Sequence, residues 1–193
     1  MNAKHPDLSN APLNFDLISG LWGVYFSIIG VRYLHPEMIP VTGAAIIAAN
    51  HLTSIDPFGV GQPTERRVHF MAKKELFGSA LSRWYMRSGN AFPVERGKMD
   101  LTAIKTALRI LQGGQLLVIF PQGTRGGADA KGGASFLALK AKVPVIPVGI
   151  SLHRNWFGAQ RFTFRYGAAI APTGSVEQHT IMVSSAIEAL MMS

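Results

Sequence analysis

The sequence predicts an α/β layered fold in which a mostly parallel sheet is flanked by helices. Three observations predict it. Apolar runs of strand length recur at Ala44–Ala49 (AAIIAA), Gln115–Phe120 (QLLVIF) and Val145–Ile150. Between them lie segments whose apolar residues return every three or four positions, as at Leu101, Ile104, Leu108 and Leu111, the signature of one helix face. The chain has 193 residues, 48% of them hydrophobic and 16% charged, enough for one domain with a substantial core. Strands alternating with helices give parallel pairing, because each crossover returns the chain to the same edge.

The elements follow in order. Residues 1–12 are polar and contain proline, which predicts a loose end. From Leu17 to Val31 runs LISGLWGVYFSIIGV, uncharged and bounded by Asp16 and Arg32. At about 1.5 Å per residue it covers about 22 Å as a helix, short of a bilayer core of roughly 30 Å. No cleavage site of small residues follows it, so it does not read as a secretory signal. Trp22, Tyr25, Arg32 and Tyr33 are types that settle at headgroup depth, which predicts an apolar membrane-associating helix lying in the interface. An ordinary packing helix is the alternative. The expected division is residues 1–40 as tail and interfacial helix, and 41–193 as the main domain.

Ala44–Ala49 is a buried strand by its unbroken apolar run, and a helix starts at Pro57. Val68–Ala72 is a second strand. Leu76, Phe77, Leu81, Trp84 and Tyr85 mark a helix ending near Gly89, and Ala91–Val94 is a short strand. Asp100 is placed to cap the helix of Leu101–Leu111, and Gly113-Gly114 stops it. After strand Gln115–Phe120 come a helix over Ala134–Lys142 and strand Val145–Ile150. Phe162, Phe164 and Tyr166 alternate with polar residues, which predicts a half-exposed strand. Ile181–Met192 closes the chain as a helix.

Net charge is +8 and the pI about 10.1. Seventeen of the nineteen basic residues lie between Thr64 and Arg165, against five acids. They are dispersed, with no basic zipper, RNP sequence or zinc finger, so nucleic acid is not the expected partner. A dispersed basic face beside an apolar segment suits a membrane surface. There is no cysteine, which excludes disulfides, thiolate metal sites and acyl-cysteine chemistry. The histidines lack ligand spacing, so no metal is expected.

His51 and Asp56 stand five residues apart in Asn50-His51-Leu52-Thr53-Ser54-Ile55-Asp56-Pro57. On a continuous helix that spacing separates side chains by about 140°, so a pair must flank a turn. Pro57 disfavours helical dihedrals at Asp56, which supports the turn. A carboxylate on one imidazole nitrogen would fix the tautomer and leave the other to take a proton. The alternative is a helix-capping Asp56 with an unrelated loop histidine. In open parallel sheets ligands bind beyond the carboxyl ends of the strands, and His51 and Gly123 both follow such ends.

Four stretches, in order, resemble the glycerophosphate and lysophosphatidate acyltransferases, the PlsC-like family. They are Asn50-His51 through Asp56-Pro57, Gly89-Asn90-Ala91-Phe92-Pro93-Val94-Glu95-Arg96-Gly97, Phe120-Pro121-Gln122-Gly123-Thr124-Arg125 and Val143-Pro144-Val145-Ile146-Pro147-Val148. The resemblance covers about residues 40–150. It implies an acyl thioester, on coenzyme A or acyl carrier protein, donating to the free hydroxyl of 1-acyl-glycerol-3-phosphate to give phosphatidic acid. His51 would be the general base and Asp56 its orienter. Arg96 and Arg125 would hold the phosphate, with Gly123 and Thr124 beside it. Gln122, Lys73 and Lys131 would be secondary substrate contacts. No cofactor is implied beyond the thioester co-substrate. The setting is the cytoplasmic face of the cell membrane.

Gln122 departs from the resemblance, since a glutamate usually stands between the proline and glycine of that motif. The missing charge bears on the acceptor rather than the reaction class. Alternatives are glycerol-3-phosphate or another lysolipid as acceptor, thioester hydrolysis, or a non-catalytic phospholipid-binding module.

Overall fold

The strand-length apolar runs form the centre of a sheet. A computed structural model of the chain describes residues 15–95, 100–121, 132–154 and 160–192. The strands are β1 (Arg32–Leu34), β2 (Ala45–Ala49), β3 (Val68–Lys73), β4 (Ala91–Val94), β5 (Leu116–Ile119), β6 (Val145–Arg154) and β7 (Gln160–Tyr166). The helices are α1 (Phe15–Ile28), α2 (Asp56–Gly61), α3 (Ala80–Ser88), α4 (Leu101–Gln112), α5 (Gly133–Ala141) and α6 (Val176–Met192). The seven strands lie in the order β1-β7-β6-β2-β5-β3-β4. Among the described strands only β6 and β7 pair antiparallel; the other strand pairs are parallel.

Every residue of β2 and of β5 is buried, because both strands lie inside the sheet and are covered on both faces. The period of two divides them. Ile46, Ala48, Leu117 and Ile119 join the core under α4, α5 and α6. Ala45, Ile47, Ala49, Leu116 and Val118 face the opposite core, with Val60 of α2 and the β7 aromatics. Two glycines set how close the helices come. A Cβ at Gly149 of β6 would meet the Leu190 backbone of α6 at 2.5 Å. One at Gly59 of α2 would meet the Phe164 ring at 2.4 Å.

The expected helix from Leu76 to Tyr85 is two elements. A 3-10 turn covers Lys74–Phe77, and α3 starts afresh at Ala80. Ser79 and Ser82 explain the break. The Ser79 hydroxyl accepts from the Ser82 N–H (3.1 Å) and the Ser82 hydroxyl from the Ser79 N–H (3.2 Å), a reciprocal cap that starts a new helix. The β7 aromatics alternate as expected, with Arg161 exposed and Arg165 partly exposed on the other face, and one residue departs from the pattern. Phe162, Phe164 and Tyr166 are buried on the core face, and Thr163 on the polar face is buried too, in a strand that lies between β6 and the unexpected β1. β6 runs on past Ile150 to pair with β7 through Arg154.

Helix α1 has two characters. Phe26 is buried and Trp22 stacks on Phe58 of α2, with centroids 4.5 Å apart and planes at 9°. Leu17, Leu21, Val24 and Ile28 are each more than 60% exposed along one stripe. The packing alternative therefore holds for one face only. Among the described residues no helix is long and apolar enough to cross a membrane.

Candidate functional site

The site is built where β2 ends. Asn50 continues the pairing of β2 with β6 through its side chain. Its Nδ2 donates to the Ile150 carbonyl (2.8 Å), and its Oδ1 accepts the Ile150 N–H (2.6 Å). The amide thus acts as one more ladder rung. It fixes where the chain leaves the sheet, one residue before His51.

The chain then turns, and α2 begins at Asp56. Pro57 fits there because the first turn of a helix needs no donor from it. Asp56 is wholly buried and gathers the turn around its carboxylate. Oδ2 accepts from the N–H of Leu52 (2.6 Å), the N–H of Thr53 (2.7 Å) and Nδ1 of His51 (2.9 Å). Oδ1 accepts the Thr53 hydroxyl (2.6 Å). The N-cap position of α2 is Ile55, with no side-chain cap, so Asp56 organises the preceding loop rather than capping the helix.

Burial by itself would raise the Asp56 carboxyl pKa. The hydrogen bonds from His51, from the Thr53 hydroxyl and N–H, and from the Leu52 N–H outweigh it and hold the group below the usual carboxylate value. Asp56 is therefore ionised at neutral pH and can only accept. The proton between it and His51 then sits on Nδ1, which makes Nε2 the basic nitrogen. The other constraint on the ring is Phe120, just past β5, which stacks on His51 with centroids 4.5 Å apart. Phe120 and Pro121 open the third motif, so its start lies against the imidazole.

Lys73, partly buried, ends β3 at the same carboxyl edge of the sheet, with β5 between its strand and β2. Arg96, Gly97, Gln122, Gly123, Thr124, Arg125 and Lys131 lie outside the described residues. The two sides of the second motif's loop are nonetheless joined. The Glu95 N–H donates to Asp100 Oδ2 (2.9 Å), while Asp100 Oδ1 caps α4 through the N–H groups of Thr102 and Ala103 (both 3.0 Å). Glu95 also forms an ion pair with Lys74.

Three residues carry positioning work that the sequence reading did not assign: Asn50, Thr53 and Phe120. Thr53 stands three residues before Asp56, a spacing that favours a hydroxyl–carboxylate contact, and this signal was available. Asn50 and Phe120 act across strands, which no local spacing reveals. At the opposite edge, Arg66 donates to the carbonyls of Pro40 (2.6 Å), Gly43 (2.6 Å) and Gly114 (2.7 Å), so this cation ties three loops. A cleft of about 300 Å³ is lined by Trp22, Phe58, Gln62, Arg66, Val68 and others. Val68 and Arg66 mark the amino-terminal edge of the sheet, so this cleft is not where His51 works. Among the described residues no group of His, Cys, Asp or Glu is arranged to hold a metal ion.

Comparisons with known proteins agree on a family. A model of the family described as Acyltransferase matches residues 30–151, more than half of the chain. A 1-acyl-sn-glycerol-3-phosphate acyltransferase of Streptococcus pneumoniae is 39% identical over 105 residues, 53% of this chain and 40% of that protein. One from Bacillus subtilis is 34% identical over 121 residues, 61% of each. The chain thus spans 40% and 61% of the lengths of these two relatives. The crystal structure of the 1-acyl-sn-glycerophosphate (LPA) acyltransferase PlsC from Thermotoga maritima matches with a TM-score of 0.73 and 22% identity. That match covers 92% of this chain and 78% of the other, and at this identity the likeness is one of fold.

Proposed function

The chain belongs to the Acyltransferase family, and from that premise we propose that it moves a fatty acyl group from a thioester to the free hydroxyl of 1-acyl-glycerol-3-phosphate. The product is phosphatidic acid. The observation that carries the reading is the 2.9 Å bond from His51 Nδ1 to a buried, ionised Asp56. An imidazole held in that tautomer is a base aimed by its partner. Two relatives, 39% and 34% identical over the matched residues, bear a name that states this activity.

In the step, Nε2 of His51 takes the hydroxyl proton as the oxygen attacks the thioester carbonyl carbon. The tetrahedral intermediate collapses, the carbon–sulfur bond breaks, and the thiolate leaves. It takes the proton back from the imidazolium, so the products are an ester and a free thiol. Asp56 stabilises the transient charge on the ring. The donor is acyl-coenzyme A or acyl carrier protein, and no other cofactor takes part. Arg96 and Arg125 bind the phosphate through paired guanidinium donors, with Gly123 and Thr124 supplying close backbone and a hydroxyl. Lys73, Gln122 and Lys131 support the headgroup.

Residues 1–40 serve membrane contact and 41–193 the chemistry. The exposed stripe of α1 lies in the interface of the membrane from which the lysolipid comes, on its cytoplasmic face.

The test is thiol release from an acyl thioester with and without lysophosphatidate, for the wild type and His51→Ala. Acceptor-dependent release that collapses in the variant supports transfer. Release that ignores acceptor indicates hydrolysis, and lipid binding without turnover in either protein indicates a binding module. A second variant, Gln122→Glu, restores the usual charge. It should alter acceptor preference or acceptor KM and leave donor KM alone; an effect confined to the donor would remove Gln122 from the acceptor site.

A further inference from the structure

We propose that α3 and the turn before it form a second membrane-contacting surface, beside α1, that selects bilayers carrying anionic headgroups. The inference deepens the membrane reading above and rests on it. In the turn Leu76 is 48% exposed, and on α3 Leu81 is 75% and Trp84 48% exposed. Leu81 and Trp84 stand four and one residues before Tyr85, so all three share a flank of the helix. That flank adjoins α1. The Tyr85 hydroxyl accepts Nε1–H of Trp22 at 3.2 Å, and Phe58 lies against both rings, 4.5 Å from Trp22 and 5.8 Å from Tyr85. The apolar stripe of α1 and the apolar flank of α3 thus belong to neighbouring helices held by one aromatic cluster.

The two helices differ in charge, and this points to the occupant. Between Phe15 and Ile28, α1 carries no basic residue. On α3, Arg83 and Arg87 are exposed one turn apart, next to Trp84. Arg83 is held near the surface by its Nε bond to the Phe77 carbonyl (3.2 Å), which orients a guanidinium that has further donors. Tryptophan among arginines, with exposed leucines beside them, matches the chemistry of a bilayer interface. The apolar rings and chains enter, and guanidinium groups meet lipid phosphates. Each basic residue near an anionic surface adds attraction, so α1 supplies depth and α3 supplies headgroup selection.

The test uses the full chain and vesicles of phosphatidylcholine alone or mixed with phosphatidylglycerol, read by co-sedimentation. Three proteins are compared: wild type, Arg83→Gln/Arg87→Gln and Leu81→Ser/Trp84→Ser. The arginine pair should lower partitioning about tenfold or more on anionic vesicles and leave neutral vesicles unchanged. The apolar pair should lower it on both. Circular dichroism and Tm confirm that each variant is folded. Turnover of a short-chain, monomeric lysophosphatidate should be the same in all three, since none of the four is among the proposed site residues. Equal partitioning by all three proteins, or no vesicle binding by the wild type, overturns the proposal. So does a variant-dependent change of oligomeric state in light scattering without a change in partitioning, which would assign the face to a second copy of the chain. If the variants lose vesicle binding while no protein turns over the monomeric acceptor, the surface stands and the acyltransfer reading falls.

Discussion

The loop from Asn50 to Asp56 and the helix pair α1 and α3 use their polar and apolar groups in opposite ways. In the loop the polar groups named above, the basic Nε2 of His51 apart, meet partners inside the protein. Asn50 is bonded on both sides of its amide, and Asp56 accepts four donors. On the helix pair, Leu17, Leu21, Val24, Ile28 and Leu81 are all more than 60% exposed. The bonds of the first region are internal to the protein and fix His51 and Asp56 relative to one another. The second has an apolar surface that water serves poorly. On the proposed reading, the protein separates a preorganised candidate site from an exposed apolar surface offered for docking.

The sharpest way to test that separation is His51→Ala. General-base catalysis contributes about 10²- to 10⁴-fold, so steady-state turnover should fall by that range while vesicle partitioning stays at the wild-type value. Asp56→Asn should reach both rate and stability. It puts an amide where several donors converge in a buried site, and urea unfolding should show a loss of about 3 kcal/mol alongside the drop in turnover.

Acid should strike the sheet and not the helix pair. Burial, reinforced by the nearby charge of Arg67, holds His69 of β3 down at about 4. The unfolded chain then binds this proton near the ordinary histidine value while the folded chain resists it. Stability should be full above about pH 6.5 and fall by about 3 kcal/mol as pH drops towards 4, and His69→Phe should flatten that slope in pH-dependent urea melts. Asn50→Ala leaves the Ile150 N–H and carbonyl without their partner. It should cost about 2 kcal/mol and lower kcat more than it changes KM, since the exit of the chain towards His51 loosens. Smallest of all, Leu21→Ser/Val24→Ser should shift folding stability by about 0.5 kcal/mol or less, because those side chains face water, yet reduce vesicle partitioning. A large stability loss there would mean that α1 packs against the domain with that face.

The fold class was legible because β2, β5 and the first half of β6 are unbroken apolar runs with little choice but a doubly covered sheet. Helix α4 was equally plain, since its apolar spacing, its Asp100 cap and its Gly113 stop agree. Other features were hidden for physical reasons. β1 is three residues long and exists by pairing with β7, a contact far along the chain. The break before α3 depends on two serine side chains whose pairing competes with a longer helix. The place of β7 inside the sheet and the burial of Thr163 on its polar face depend on neighbours that alternation cannot report. In the candidate site, His51 and Asp56 stood out by residue type and spacing, whereas Asn50 and Phe120 reach the site from positions set by neighbouring strands.

Local chemistry alone determined the alternating helices and strands, the turn that precedes Pro57 and the identity of an imidazole and a carboxylate on either side of that turn. These follow from periodicity, proline geometry and side-chain pKa, all properties of short stretches. Only the folded molecule decided that the two groups meet, that the carboxylate is buried yet ionised, and that one side of α1 is buried while the other is bare. Those outcomes depend on which strands become neighbours and which side chains exclude water from one another, and these contacts join residues as far apart as Asn50 and Ile150.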